Sequence, residues 1–137
     1  MRIVLDTNVL VSGLLNPFGP PGRILQMAAA AELSLCYDAR ILCEYRGVLS
    51  RPAFGFRLDQ IDGLLEQLRA VGELVAAVPL AHRLPDRDDE PFLEVAVAAA
   101  VEYLVTGNIR HYPAPARNAI RVVSPKAFVE AFQARQQ

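Results

Sequence analysis

A chain of 137 residues has the length of one domain and can bury a core without disulfides or a structural metal to hold it. Apolar residues make up 53%, aromatics only 7%, and the 14 basic against 15 acidic residues leave a formal charge of −1. That describes an ordinary globular protein built mostly from aliphatic side chains, with no global polycation and no acidic tail.

In chain order, residues 2–5 (RIVL) form a continuous apolar, β-branched run, the pattern of a strand covered on both faces in a parallel sheet. Polar residues at 6–8 interrupt it, and apolar residues resume at helical spacing. Residues 16–23 (NPFGPPGR) read as a turn-rich loop. RILQMAAAAE is a strong helix former, and residues 33–38 (LSLCYD) are a second strand. ARILCEYRGVLSR is a helix stopped by Pro52, and 58–73 is an amphipathic helix with apolar residues at 58, 61, 64, 65, 68 and 71. Residues 74–78 suggest a strand before Pro79, followed by the acidic loop LPDRDDEP. Residues 92–102 form a helix apolar nearly all round, hence buried on most sides. YLVTG at 103–107 and IRVV at 120–123 are strands, and Ser124 with Pro125 opens a last helix.

Strands alternate with helices throughout, which predicts one α/β domain over 1–137 with a mainly parallel sheet between helical layers. Asp6 and Asn8 break the opening apolar run, so it does not read as a signal peptide, and no run reaches the roughly 18 apolar residues that span a membrane. Cys36 and Cys43, with no CxxC, read as free buried thiols in a reducing compartment. These features point to a cytoplasmic protein. Lys126 is the only lysine and the remaining cations are arginines, which fork onto phosphate. Composition alone accounts for that bias equally well.

In open α/β sheets, functional groups gather beyond the C-terminal ends of strands. Asp6 ends the first strand, 86–90 opens a buried helix, and Asn108 follows a late strand. Each has a local alternative: Asp6 and Thr7 or Asp89 could cap a helix, and Asn108 could sit in a left-handed turn. Glu44 is harder to explain locally. With 38–50 on a helix at about 100° per residue, Ile41, Leu42, Tyr45, Val48 and Leu49 form one apolar face. Glu44 lies on its border, while Cys43 and Gly47 face outward. The local alternative is an ion pair with Arg40 or Arg51. If Asp6, Glu44 and Asp89 converge, each pair at about 4 Å repels by about 4 kcal/mol at a dielectric near 20. Such a cluster protonates, opens or takes up a hard cation such as Mg²⁺ or Mn²⁺, and a cation so held suits phosphodiester hydrolysis.

These stretches resemble the PIN-domain family, and within it the small VapC-type toxins of toxin–antitoxin pairs. IVLDTNVLVSGLL resembles the first family motif, DARILCEYRGVLSRP the second, and DRDDEPFLEVAVAAAVEYLVTGN the third and fourth. The resemblance implies a PIN-like α/β/α sandwich with a short sheet and a Mg²⁺- or Mn²⁺-dependent endoribonuclease. It implies Asp6, Glu44 and Asp89 as metal ligands, with Asp88 the rival for the third place. Thr7, Asn8 and Thr106 would line the site by hydrogen bonds. Asn108 stands where many relatives carry Asp and would orient the attacking water with a neutral amide. The expected partners are RNA, steered by Arg87 or Arg110, an antitoxin protein, and a second copy of the chain along the helix at 58–73. His111 is expected only to decorate its loop.

Three other readings compete. Haloacid-dehalogenase-type phosphotransfer needs a second Asp two residues after the first, where this chain has Asn8, and a receiver-like domain needs a Lys after a late strand, whereas Lys126 sits in the last helix. A metal-free PIN fold that only grips a protein or RNA partner is the second alternative, and a housekeeping nuclease outside any toxin pair is a third.

Overall fold

The computed structural model describes residues 1–136. Its five strands are β1 (Arg2–Leu5), β2 (Ser34–Tyr37), β3 (Glu73–Leu74), β4 (Tyr103–Val105) and β5 (Arg121–Val123), paired in the order β3-β2-β1-β4-β5. Every pairing is parallel, with Ile3 opposite both Leu35 and Tyr103. Six helices accompany the sheet: α1 (Thr7–Leu15), α2 (Pro20–Ala29), α3 (Ala39–Leu49), α4 (Leu58–Val71), α5 (Glu90–Ala99) and α6 (Pro125–Arg135). The α/β architecture of a parallel sheet flanked by helices is therefore present, with the sheet parallel throughout.

The central strands are covered on both faces, which is why their apolar runs do not alternate. Ile3, Val4, Leu5, Leu35, Leu104 and Val105 are fully buried, and each such side chain stabilises the fold by about 1.5–3 kcal/mol. Helix α5 lies against β1, β2 and β4, so Phe92, Leu93, Val95 and Ala96 are all buried, as its all-round apolar pattern predicts. Asp38 caps α3 by accepting from Ile41 N at 3.0 Å, and Ser124 caps α6 by accepting from Ala127 N at 3.1 Å.

Three local expectations need correction. Helix α2 begins inside the stretch expected to be loop, because Pro20 and Pro21 occupy its first turn, where a missing N–H costs nothing and the fixed φ favours the helix. The strand expected at 74–78 shrinks to Glu73–Leu74. Val75 N donates to Tyr37 O at 2.8 Å, and β3 then ends as a short edge strand. Cys36 is buried, as expected, but Cys43 is exposed on the outer face of α3.

The corner between α1 and α2 depends on a close backbone approach. A Cβ on Gly22 would stand 2.3 Å from Pro17 O and 2.5 Å from its carbonyl carbon. Only glycine lets the start of α2 fold back on the loop at this distance. Among the described residues no helix is long and apolar enough to cross a membrane.

Candidate active site

Strand β1 connects to β2 on one side and pairs with β4 on the other, so the order of the sheet reverses between β1 and β4. A crevice at such a switch point opens beyond the C-terminal strand ends. Asp6 leaves β1 there, with its N–H donating to Val105 O at 2.9 Å, and Thr106 leaves β4 beside it. A pocket of about 380 Å³ opens at this place, and its acidic lining consists of Asp6, Glu44, Asp86, Asp88 and Asp89.

Asp6 occupies the N-cap position of α1 but makes no capping bond with its side chain. Instead Oδ2 accepts from Thr106 Oγ1 at 2.8 Å and from Tyr112 Oη at 3.0 Å. These two buried hydroxyls fix the carboxylate and leave Oδ1 without a hydrogen bond from them. Asp89 is likewise at the N-cap of α5 without capping it. The local alternatives for both aspartates are thereby set aside. Glu44 is half-buried and takes no ion pair from Arg40 or Arg51; the Thr7 hydroxyl donates to its Oε2. Arg40 is instead paired with Asp38 and Glu94.

The charges separate into two kinds. Of four buried carboxylates, Glu90 is matched by Arg83 and by Leu84 N, and Glu94 by Arg40. Asp6 and Asp89 have no arginine. Burial pushes the Asp89 carboxyl from 3.8 to about 6, and the Asp6 charge adds to that rise while His111 opposes it. Burial also raises Glu44; the Thr7 hydrogen bond opposes the rise and the Asp6 charge reinforces it. Beneath the strand end Tyr45 Oη donates to Leu5 O at 2.6 Å, and burial first, then Asp6, holds its phenol well above the usual range. Tyr112 is raised in the same way, so it remains a donor to Asp6 at any working pH.

Asp89 Oδ2 is the one buried side-chain oxygen among the described residues that has no hydrogen-bond partner. His111 Nδ1 stands 3.0 Å from it. The distance suits an ion pair, but the contact does not complete a hydrogen bond, so the oxygen's hydrogen-bonding capacity stays open. Among the described residues no three His, Cys, Asp or Glu side chains are gathered around one point as a ready-made metal site. The donor chemistry fits a hard cation nonetheless: five carboxylates line the pocket, Glu44 and Asp89 are held above the usual carboxylate range, and Asp89 Oδ2 is buried without a hydrogen-bond partner.

The structure brings Asp6, Thr7, Asn8, Glu44, Asp88 and Asp89 to the same pocket. Asp88 is exposed and Asp89 buried. Asn8 Oδ1 accepts from Gly107 N at 2.9 Å and ties α1 to the loop after β4. Thr106 lies behind Asp6 and accepts from Asn108 N at 3.0 Å. Asn108 does not line the pocket; its Nδ2 contacts His111 Nε2 at 2.8 Å, and its φ of −139° is not left-handed. It touches the site through His111. His111, expected to be decoration, lines the pocket. Tyr112 and Asp86 were also missed. No pattern in the sequence marks Tyr112, whereas Asp86 is legible only as one of an acidic run.

A family model described as PIN domain matches residues 2–110. An uncharacterized protein of Methanocaldococcus jannaschii is 26% identical over 144 aligned positions, which cover 97% of this chain and 92% of that protein. Tyr112 lies beyond the span of the family match.

Proposed function

The chain belongs to the PIN-domain family, whose members are generally nucleases, and from that premise we propose that it is a metal-dependent endoribonuclease acting as the toxin of a toxin–antitoxin pair. The observation that carries the reading is five carboxylates lining one pocket at the sheet's switch point, two of them buried without an arginine. Asp6, Glu44 and Asp89 are the residues that would hold a Mg²⁺ or Mn²⁺ ion. When bound, such an ion supplies Lewis acidity to the phosphate and makes a bound water acidic.

The chain's own groups do the rest. Thr106 and Tyr112 lock Asp6 Oδ2, so the carboxylate presents Oδ1 in one orientation. Thr7 orients Glu44, and Asn8 fixes the loop at Gly107. A carboxylate of the pocket would take the proton of the water that attacks the phosphorus in line as the 3′-oxygen leaves. Asn108 holds the His111 ring against Asp89 at the mouth. RNA is the substrate, and an antitoxin chain and a second copy of this chain are the partners.

Purified protein should cut single-stranded RNA with Mn²⁺ or Mg²⁺, stop in EDTA, and lose activity in Asp6→Asn. Undiminished cutting by Asp6→Asn defeats the assignment. Induced expression should arrest growth only for the active protein; RNA cleavage without arrest leaves a housekeeping nuclease and removes the toxin role. A second reading, a metal-free binding module, draws on the absence of a preassembled metal cluster among the described residues. Calorimetry decides between them: no heat with Mn²⁺ up to millimolar concentration, with the fold intact, selects the binding module.

A further inference from the structure

Immediately after α3 the chain makes a tight excursion, R-P-A-F-G-F, at residues 51–56. Pro52–Phe54 form a single 3-10 turn, and Gly55 reverses it at φ 70°. The rings of Phe54 and Phe56 stack with centroids 5.8 Å apart and an interplanar angle of 24°. The two rings have different duties. Phe56 packs against the hydrophobic core, whereas Phe54 is not part of that packing and lines the carboxylate pocket. The half-buried Phe54 ring is backed by Phe56 on one side and borders the cluster of carboxylates.

Arg51 stands at the start of the same turn and lines the pocket too. It also lines an adjoining groove of about 560 Å³ that runs along α3 past Cys43 and Gly47 to Phe92 at the start of α5. The other arginines near α3 are paired: Arg40 with Asp38 and Glu94, Arg46 with Asp62, and Arg57 with Asp59. Among the described residues Arg51 pairs with no carboxylate, although five line the pocket it borders. Gly47, on the groove floor, has nothing within 4 Å of where its Cβ would be, which leaves room for a chain to lie close to α3.

We propose that Arg51 and Phe54 form a nucleotide clamp at the pocket mouth: the guanidinium binds a backbone phosphate of single-stranded RNA, and the Phe54 ring stacks under an unpaired base next to the cut. This rests on the ribonuclease reading above and adds to it where the strand runs and why it must be single. A planar guanidinium grips phosphate through two parallel N–H bonds. An aromatic face accepts any base, but only one that is not already stacked in a duplex.

The test is abasic scanning with the full-length protein in Mn²⁺. A single abasic nucleotide is walked through the positions flanking the cleavage site of a labelled oligoribonucleotide. With the native protein, one position lowers kcat/KM about tenfold, the size expected for losing one stacked base. With Phe54→Leu the intact RNA is already about tenfold worse, and the same abasic position costs less than about twofold. Phe54→Tyr keeps a flat ring and restores both the rate and the abasic sensitivity, which separates stacking from any loss of fold. Arg51→Gln reduces kcat/KM and lowers the steepness of the salt dependence by about one phosphate contact. Identical abasic profiles for the native protein and Phe54→Leu, with RNA still cut, overturn the clamp and leave the nuclease standing. RNA neither cut nor bound overturns the ribonuclease reading, and the clamp with it.

Discussion

Replacing Asp89 by Asn should make the metal-free protein more stable. At pH 8 the native fold must keep a negative charge on a side chain only 11% exposed, close to Asp6 with no arginine to balance it. A carboxyl moved from 3.8 to about 6 corresponds to about 3 kcal/mol between its two forms, at 1.36 kcal/mol per pH unit. Water at the open mouth and the neighbouring His111 screen part of this, so about 1–2 kcal/mol should appear as stability. The sign follows from proton binding. The folded chain holds a proton on Asp89 that the unfolded chain has already released between pH 4 and 6. Stability from this group is therefore full below about pH 4 and is lost as pH rises through about 6. Asn carries no charge and lacks the loss. Thermal melts in EDTA at pH 8 should place Asp89→Asn about 3–8 °C above the native protein, with the gap closing towards pH 4. Saturating Mn²⁺ should reverse the order, because a ligand at a hundred times its Kd stabilises the native fold by about 2.7 kcal/mol and the variant has lost a ligand. A variant that melts lower than the native protein in EDTA at pH 8 refutes the reasoning: Asp89 would then be a structural partner of His111 and not a repelled ligand.

Tyr112→Phe removes one of the two donors to Asp6 Oδ2 and should cost about 1.5–3 kcal/mol in stability. It should also weaken Mn²⁺ binding measured by calorimetry, whereas unaltered affinity would mean that Thr106 alone holds Asp6. Gly22→Ala forces a methyl into Pro17 O, a backbone atom that cannot swing aside. Urea unfolding should show a loss of about 2 kcal/mol or more, and an unchanged midpoint would rule out the close approach of α2 to its preceding loop.

Much of the architecture is legible locally. Unbroken apolar runs at 3–5 and 103–105 have no polar face to offer water, so they must lie inside a sheet covered on both sides. The position of Glu44 on the border of the α3 apolar face follows from helical period alone, and Asp6 stands at a strand end because the apolar run stops there. Less is legible where a contact is decided by chain folding. Nothing near Tyr112 in sequence announces that it reaches Asp6, 106 residues away. Likewise, the nearness of His111 to Asp89 depends on where two loops meet above β4 and α5. Asn108 has the polarity expected of a site residue, yet the turn after Gly107 points its amide at His111.

Local patterning by itself determined the order of strands and helices, the core face of each, and the placement of the first two acids, because periodicity and turn chemistry act over a few residues. Only the tertiary structure decided which carboxylates lost their partners, which hydroxyls took hold of Asp6, and which of two neighbouring phenylalanines faces the pocket. Those outcomes depend on desolvation and on distances across the sheet's switch point, quantities that exist only once segments separated by tens of residues are packed together.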